Sequence, residues 1–423
     1  MTLIGIIALV IALVISIALH ELGHMVPAKR FGVKVTQYMI GFGPTLWSRK
    51  KGDTEYGVKG FLLGGYIRMI GMFPPGPDGQ LKASSTGRLG TLIEQARAES
   101  AAEIVEPGDE KRTFYALPVR QKLVVMLGGP VMNLLLAIVL FTIVFAGFGT
   151  PTPTTTVNTV TACVPSAQDP EGVCAGSGQP TGAAAAGLQP GDQIVAWDSA
   201  PVSQWPELSQ AIRASEPGDH AVTIVRNGQE MTVEVPLSTI DGTLLGETGQ
   251  RGFLGVSPVV ELQPMPVTAV PGQMWDISVR SAQALMSFPA KMVGLTEAAF
   301  TDAARDPEGP VGVVGVSRLS GEVAAADAPP SWRFAQFLAI VASLNLFLFL
   351  FNLLPILPLD GGHVAGALYE GARRQIARWQ GRPDPGPVDV ARMLPVAYTV
   401  AMVLIVMSVI ILWADIVKPI RLG

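Results

Sequence analysis

Two histidines and a glutamate near the N-terminus have the residue types and spacing of a hydrolytic metal site. They stand in His20-Glu21-Leu22-Gly23-His24, an H-E-x-x-H pattern. On an α-helix, residues i and i+4 lie above one another on one face, so both imidazoles reach a single ion. In zinc sites of this type the glutamate lies beside the open coordination position and acts as general base. The pattern therefore predicts that His20 and His24 bind Zn²⁺ and that Glu21 is catalytic.

A site of this kind needs a third protein ligand and leaves the fourth position to water. Asp360 and His363 are the candidates, because they follow an apolar segment that is interrupted by Pro355 and Pro358. In a segment that crosses a membrane, irregular backbone is tolerated where it is buried in protein or lines a water-filled cavity. A ligand-bearing side chain is expected at such a place. Asp360 lies at the bend itself and is preferred, although spacing alone leaves His363 open. His220 lies outside the apolar segments and is assigned no role.

The composition limits the kind of protein that can carry this site. Of 423 residues, 49% are hydrophobic and only 15% are charged, whereas about 25% of an average soluble domain is charged. This shortage of charge argues against an ordinary soluble enzyme and against a disordered chain. The formal net charge of −4 provides no basic field, so we expect no nucleic-acid partner.

Four apolar segments are long enough to cross a lipid bilayer, which needs about 20 residues. We therefore predict an α-helical polytopic membrane protein with four transmembrane helices. The first segment is expected to be a span rather than a signal peptide, since no basic residue precedes it and no small-residue cleavage pattern follows it. The segments are Leu3–Leu19, Leu123–Phe148, Phe334–Leu359 and Leu394–Val417.

Lysine and arginine counts set the expected orientation of these helices. Residues 29–112 carry 13 of them and residues 369–392 carry five, whereas residues 150–333 carry eight. By the positive-inside rule, the first and third connections are cytoplasmic and the long second connection lies outside. We therefore expect a multi-pass protein of the cell membrane whose H-E-x-x-H motif lies near the cytoplasmic side.

The second connection contains the pattern of a small folded domain. A helical spacing over Trp205–Ala214 is followed by two alternating runs, Ala221–Val225 and Glu230–Val235. Asn227-Gly228 separates these runs and is a strong hairpin signal. The order of elements over 150–258 resembles a bacterial PDZ domain, an α+β fold that binds extended peptides by strand addition. A generic small α/β insert is the alternative.

The two cysteines of the chain, Cys163 and Cys174, both lie in this predicted extracytoplasmic segment. An oxidising compartment favours a disulfide between them. Two free thiols are the alternative.

The predicted organisation alternates spans with connections. One helix in the extracytoplasmic linker, Trp275–Phe300, either lies on the outer membrane face or packs on the PDZ domain. The parts are 1–28 (first transmembrane helix, with the H-E-x-x-H motif), 29–117 (cytoplasmic region with a membrane-associated β-hairpin and a flexible loop over 74–112), 118–149 (second helix), 150–258 (extracytoplasmic PDZ domain), 259–333 (extracytoplasmic amphipathic linker), 334–362 (third helix, with Leu359-Asp360-Gly361), 363–392 (cytoplasmic loop) and 393–418 (fourth helix).

Three features occur together in this chain: His20–His24 in the first span, Asn352–Gly361 in the third, and a PDZ-like domain between spans two and three. Their combination resembles the site-2 proteases, a family of intramembrane zinc metalloproteases. The similarity covers nearly the whole chain and is greatest to the actinobacterial branch. Further stretches that carry it are Gly41-Phe42-Gly43-Pro44, Gly64-Gly65-Tyr66-Ile67-Arg68-Met69, Gly129-Pro130-Val131-Met132-Asn133 and Gly309-Pro310-Val311-Gly312.

The resemblance implies a site and a function. It implies one Zn²⁺ per chain, Asp360 rather than His363 as the third ligand, and Asn352 as a substrate contact near the scissile bond. It also implies cleavage of transmembrane segments of single-pass membrane proteins, with anti-sigma factors already cut by a first protease as expected substrates. Remnant signal peptides are the housekeeping alternative. A zinc transporter or sensor is the alternative from another class, because intramembrane His and Asp also form permeation sites.

A substrate helix must unwind before its backbone can be attacked, and one region is suited to receive it. Residues 54–71 alternate short β-type pieces with glycines. We expect a membrane-dipping hairpin whose edge, at Gly65, Tyr66 and Ile67, pairs with the unwound substrate as an added strand. A plain cytoplasmic hairpin is the alternative.

Overall fold

The computed structural model describes residues 1–74, 88–104, 106–165, 174, 178–241 and 249–420. The chain divides into two compact units. The first combines Met1–Gly147 with Pro266–Gly423, and the second is Phe148–Met265. The part of the predicted flexible loop over 75–87 lies outside the described residues.

Helices form most of the first unit, and strands form most of the second. The helices are α1 (Thr2–Arg30), α2 (Arg88–Ala102), α3 (Val119–Thr142), α4 (Gly182–Ala185), α5 (Trp205–Ala214), α6 (Val270–Phe300), α7 (Val313–Ala325), α8 (Pro330–Asn352), α9 (Asp360–Trp379) and α10 (Leu394–Val417). The strands are β1 (Val35–Lys51), β2 (Thr54–Met69), β3 (Thr150–Val160), β4 (Gln193–Trp197), β5 (Ala200–Pro201), β6 (Gly218–Arg226), β7 (Gln229–Asp241), β8 (Gln250–Phe253) and β9 (Val256–Gln263).

Four helices are long and apolar enough to cross a membrane, which confirms that prediction. They are α1, α8, Val119–Phe148 (α3 with a π-helical turn at its end) and Val390–Val417, which contains α10. Helix α8 ends at Asn352, before the predicted end of the third span at residue 362. Two prolines three residues apart, Pro355 and Pro358, each remove a helical N–H donor and disfavour helical backbone at the preceding residue. The chain turns through them and re-enters a helix at Asp360.

Helix α1 lies very close to two other helices through small residues. Gly23 faces Gly128 of α3, and a Cβ on either glycine would overlap the backbone of the other. Nearer the N-terminus, a Cβ on Gly5 would lie 2.5 Å from the Ser320 carbonyl oxygen of α7. The Ser320 hydroxyl donates to the Gly5 carbonyl at 3.0 Å. Small residues permit such close packing between apolar helices in lipid, where no hydrophobic drive favours helix contact.

A buried hydrogen bond joins α1 to α8. Asn345 Nδ2 donates to Ser16 Oγ at 3.0 Å, and neither residue is appreciably exposed. Ser16 lies one helical turn before His20, so this bond joins the third span to α1 without touching the motif itself.

A buried carboxylate fixes the end of the last span. Asp415 of α10 is 1% exposed, and Arg305 donates to its Oδ1 at 2.8 Å. Its Oδ2 accepts from the backbone N–H groups of Gly312 and Gly315, both at 2.9 Å. A carboxylate is favourable at a helix N-terminus, so Asp415 caps α7 and ties it to α10.

The helix predicted over Trp275–Phe300 is present as part of α6. Its C-terminal half packs on α10, where Met292, Leu295 and Ala299 meet Ala414. This contact with a membrane-spanning helix was not foreseen from the sequence.

The second unit is built on one seven-stranded sheet with the order β8-β7-β6-β4-β3-β9, and β5 pairs with β4. Asn227-Gly228 closes the β6–β7 hairpin with φ angles of 52° and 80°, which confirms the predicted turn. Helix α5 contributes Leu208 and Ile212 to the hydrophobic core of this unit. Thr150 of β3 pairs with Gln263 of β9, so the chain enters and leaves the sheet side by side.

Two further links stabilise the second unit. Arg226 donates to both carboxylate oxygens of Asp192 at 2.7 Å, and this pairing holds the pKa of the Asp192 carboxyl below its ordinary value. Cys163 and Cys174 form a disulfide. The alternative of two free thiols is therefore wrong.

Candidate metal centre

Helix α1 presents His20, Glu21 and His24 in its C-terminal half. His24 is buried, and its Nδ1 lies 2.8 Å from the Val125 carbonyl oxygen of α3. A carbonyl only accepts, so Nδ1 carries the proton and Nε2 keeps a free lone pair. Gly129 of α3 leaves room for this ring, because a Cβ there would overlap His24 Nε2.

Asp360 is the first residue of α9, where the helix dipole favours its negative charge. The two glycines that follow it are required for space. A Cβ on Gly361 would overlap the Leu354 carbonyl oxygen, and one on Gly362 would lie 2.6 Å from the Leu357 nitrogen. The turn after α8 can therefore fold back onto the start of α9.

Three atoms from these two helices converge on one point. Asp360 Oδ2 lies 3.3 Å from His20 Nε2 and 3.3 Å from His24 Nε2, and the two Nε2 atoms are 3.3 Å apart. In a tetrahedral zinc site with bonds of about 2.0–2.1 Å, neighbouring ligand atoms are about 3.3 Å apart. Asp360 Oδ2 is buried and has no hydrogen-bond partner among the described residues. The triangle therefore fits one face of a tetrahedral metal site.

Glu21 lies close enough to interact electrostatically with His20, His24 and Asp360. It is 8% exposed, and the backbone N–H of Ile67 donates to its carboxylate. In the described part of the chain, the metal-ligand cluster is His20, His24 and Asp360. The geometry thus separates three ligand candidates from one neighbouring carboxylate.

The β1–β2 hairpin packs directly on this carboxylate. A Cβ on Gly65 would lie 3.0 Å from Glu21 Cγ and 2.9 Å from Ile17 Cγ2. Only glycine fits there without displacing a side chain. Residues 65–69 pair with β1 along one side, and no described strand pairs with their other side. The Ile67 N–H bond to Glu21 shows that β2 faces the candidate centre at this point.

Tyr38 anchors the hairpin to α1. It lies opposite both Ile67 and Tyr56, so it is in the middle of the paired region. Its hydroxyl donates to the Ala18 carbonyl at 2.7 Å. Burial raises the pKa of Tyr38 to about 12, so the phenol remains a donor at physiological pH.

A buried ion pair holds α9 against α3. Lys122 Nζ lies 2.8 Å from Glu370 Oε2, and both residues are almost fully buried. The same oxygen accepts from the Val388 backbone N–H at 3.1 Å. Breaking a buried pair on one side costs about 3–5 kcal/mol. The pair therefore helps fix the helix that begins with Asp360.

Three other residues considered from the sequence do not belong to the metal-ligand cluster of the described residues. His363 lines a small cavity with Lys122 and Glu370, and burial lowers its pKa. Asn352 is the last residue of α8, and its side chain makes no hydrogen bond with any described residue. His220 belongs to the second unit and contacts Asp198 at 2.7 Å.

The structure therefore gathers most of the predicted site residues and adds others. Tyr66 stacks on Phe42 with ring centroids 6.1 Å apart, on the hairpin rather than in the triangle. Sequence reasoning assigned no role to Asn133, whose amide lies 3.2 Å from His20 Nδ1. A polar residue within an apolar span is the signal that could have identified it. The gathered residues are His20, Glu21, His24, Gly65, Ile67 and Asp360.

The chain is similar to one protein-family model and to several known metalloproteases. The model of peptidase family M50 matches residues 8–382. The zinc metalloprotease Rip1 of Mycobacterium tuberculosis is 33% identical over 439 residues, which cover 99% of this chain and 98% of the relative. Rip1 of Mycolicibacterium smegmatis is 32% identical over 437 residues, with the same coverage. The metalloprotease MmpA of Caulobacter vibrioides is 27% identical over 401 residues, or 89% of each chain.

We predict that Gly129→Ala weakens zinc binding about 10–100-fold, because the new methyl group displaces the His24 ring. Competition with a chelating indicator on the purified protein in detergent measures this affinity. Gly147→Ala is the matched control, since a Cβ there meets no atom within 4 Å in the same span. Wild-type affinity in Gly129→Ala would contradict the assignment of His24 as a ligand.

Proposed function

Because the chain belongs to peptidase family M50, the site-2 proteases, and is a multi-pass zinc metalloprotease, we propose that it cleaves transmembrane segments of single-pass membrane proteins. The observation that carries this proposal is the 3.3 Å triangle of His20, His24 and Asp360 with Glu21 beside it. We assign these three residues as the ligands of one Zn²⁺ and Glu21 as the catalytic acid and base.

In the proposed peptide hydrolysis, the metal and Glu21 have different roles. Zinc supplies Lewis-acid chemistry that makes water nucleophilic near neutral pH and polarises the scissile carbonyl. Glu21 accepts a proton from the attacking water as the new C–O bond forms. It then delivers the proton to the amide nitrogen as the C–N bond breaks. Asn352, whose amide has no described partner, is assigned a hydrogen bond to the substrate near this bond.

We propose that the substrate binds as an added strand along the unpaired side of residues 65–69. A transmembrane helix satisfies its own backbone groups, so it must unwind locally before its carbonyl reaches the centre. An edge strand offers replacement hydrogen bonds to the unwound segment. Gly65, Tyr66 and Ile67 are the proposed contacts, with the backbone of Ile67 nearest to Glu21.

The hairpin has a surface suited to dip into the membrane. Phe42, Leu46, Trp47 and Phe61 are all more than two-fifths exposed. Aromatic residues are favoured at the membrane interface. With the orientation expected from the basic residues, the proposed position of the hairpin and the zinc site is near the cytoplasmic side.

We propose that the second unit is an extracytoplasmic PDZ domain that controls substrate access. Strand β9 is the last strand of its sheet, so its outer side is free for strand addition among the described strands. A cavity of about 170 Å³ lies between α5 and residues Gly252–Val256, which run from the end of β8 to the start of β9. The domain would exclude substrates that still carry a bulky ectodomain, so that an earlier cut is required. Anti-sigma factors are the proposed substrates, and remnant signal peptides are the alternative.

We predict that Glu21→Gln slows cleavage by about 10²–10⁴-fold, because the amide cannot accept the proton from water. Zinc content is retained, since the substitution is close to isosteric and leaves the three ligands in place. Cleavage of a single-pass substrate in liposomes and metal analysis of the same sample provide the two readouts. Full activity in this variant would exclude the protease mechanism proposed here.

Ile67→Pro is expected to slow cleavage of a helical substrate about tenfold, or ~1.4 kcal/mol, because proline removes the N–H beside Glu21 and distorts the edge along which the substrate strand would pair. Ile67→Val is the control, because it keeps the N–H group and most of the side-chain volume. A substrate whose span already contains a Gly-Pro pair separates two causes. Lost strand pairing slows the helical substrate more, whereas a displaced Glu21 slows both equally. Equal turnover by the proline and valine variants would reject the edge-strand proposal.

Removing the second unit tests its role in access. Thr150 and Gln263 are paired, so a short Gly-Ser linker between them can replace the residues from 151 to 262. We expect this variant to cleave substrates with intact ectodomains as well as pre-cut ones. Cleavage of the two substrate forms is compared in the same membranes. Loss of cleavage of both, with zinc retained, would make the unit a docking element instead.

A further inference from the structure

Asn133 is a buried polar residue that the proposed mechanism does not use. It lies on α3 and is 1% exposed. Its Nδ2 lies 3.2 Å from His20 Nδ1. Its Oδ1 is buried and has no hydrogen-bond partner among the described residues. A buried amide in an apolar span is costly unless both ends are satisfied, so this arrangement needs an explanation.

The chemistry of a metal-binding histidine decides which end of the amide faces the ring. A neutral imidazole that binds a metal through Nε2 carries its proton on Nδ1, which is then a donor. The same requirement is met at His24, where Nδ1 faces the Val125 carbonyl. At His20 the Asn133 NH₂ group would place a donor against a donor. The two ends of an amide are assigned from the hydrogen-bond network, and rotating the amide brings Oδ1 to the Nδ1 proton.

We propose that Asn133 is a positioning residue for His20. Its Oδ1 accepts from Nδ1–H, selects the tautomer with a free Nε2, and sets the plane of the ring so that Nε2 points at the metal. This inference rests on the proposed role of His20 as a zinc ligand. Residues 125, 129 and 133 are spaced by four and therefore share one face of α3. On that face the Val125 carbonyl faces His24, Gly129 leaves room for the His24 ring, and the Asn133 amide faces His20. One face of α3 thus orients both imidazoles of α1.

The test compares an acceptor with a non-polar residue at the same position. Asn133→Asp keeps an acceptor of the same shape and removes the donor, whereas Asn133→Leu removes both. We expect zinc binding to weaken about 10–100-fold in Asn133→Leu and to stay within about threefold of wild type in Asn133→Asp, as measured with a chelating indicator. Equal losses in both variants would mean that Asn133 donates, and wild-type affinity in Asn133→Leu would mean that it does not position His20.

A matched control separates this effect from general loss of a buried amide. Asn345→Leu removes the bond to Ser16 between α8 and α1 without touching a ligand, and should leave zinc affinity unchanged. If Asn345→Leu loses as much affinity as Asn133→Leu, the role of Asn133 is structural only. Absence of zinc binding in the wild type, or its persistence in His20→Ala, would overturn the proposed ligand set instead.

The chain has only four histidines, so ¹⁵N labelling of histidine gives a direct readout. In the zinc-loaded protein we expect a protonated, hydrogen-bonded Nδ1 for both His20 and His24. The His20 signal should move in Asn133→Leu and persist in Asn133→Asp, with His24 unaffected. A wild-type His20 spectrum in Asn133→Leu would overturn the proposal even if that variant binds zinc weakly.

Discussion

The fold depends on the point at which α1 and α3 touch backbone to backbone, at Gly23 and Gly128. For an apolar helix, contact with lipid is as favourable as contact with the apolar surface of another helix. Close packing and hydrogen bonds are therefore what hold such helices together. This contact brings the Val125 carbonyl to His24 and leaves the ring the space above Gly129. The orientation of the ligand candidates is therefore set by helix packing, and a metal would meet a site that is already assembled.

Buried polar groups serve two purposes in this membrane-embedded unit. Asp415 joins α10 to the start of α7, and the pair of Lys122 and Glu370 joins α3 to α9. These groups have their partners within the protein and act as structural links. Asp360 Oδ2 differs, because it lies 3.3 Å from the Nε2 atoms of two imidazoles and not against a lysine, an arginine or a backbone N–H group. The convergence of three ligand-type atoms, more than membrane depth alone, distinguishes the candidate metal centre from the structural pairs.

Much of the architecture could be predicted because periodicity and length are local properties. The four apolar helices, the Asn-Gly hairpin and the i, i+4 histidines all follow from short stretches of sequence. Asp360 needed the family resemblance, since spacing left His363 open until the fold separated them. Asn133 and the ion pair of Lys122 with Glu370 could not be assigned, because their partners lie 113 and 248 residues away. Such pairings depend on which helices are neighbours, and hydropathy does not specify that.

If a substrate binds along the proposed edge strand, the position of Ile67 links the substrate's conformation to the chemistry. Its N–H bonds to Glu21, so a strand added at this edge would run next to the general-base candidate. Neighbouring strands lie about 4.8 Å apart, so an extended substrate backbone would lie about that far from the edge that contacts Glu21. An intact helix is about 10–12 Å wide with its side chains and keeps its carbonyls bonded inside. It therefore holds its backbone away from the centre. By the same argument, the protein's own apolar helices can pack around the site without being cut.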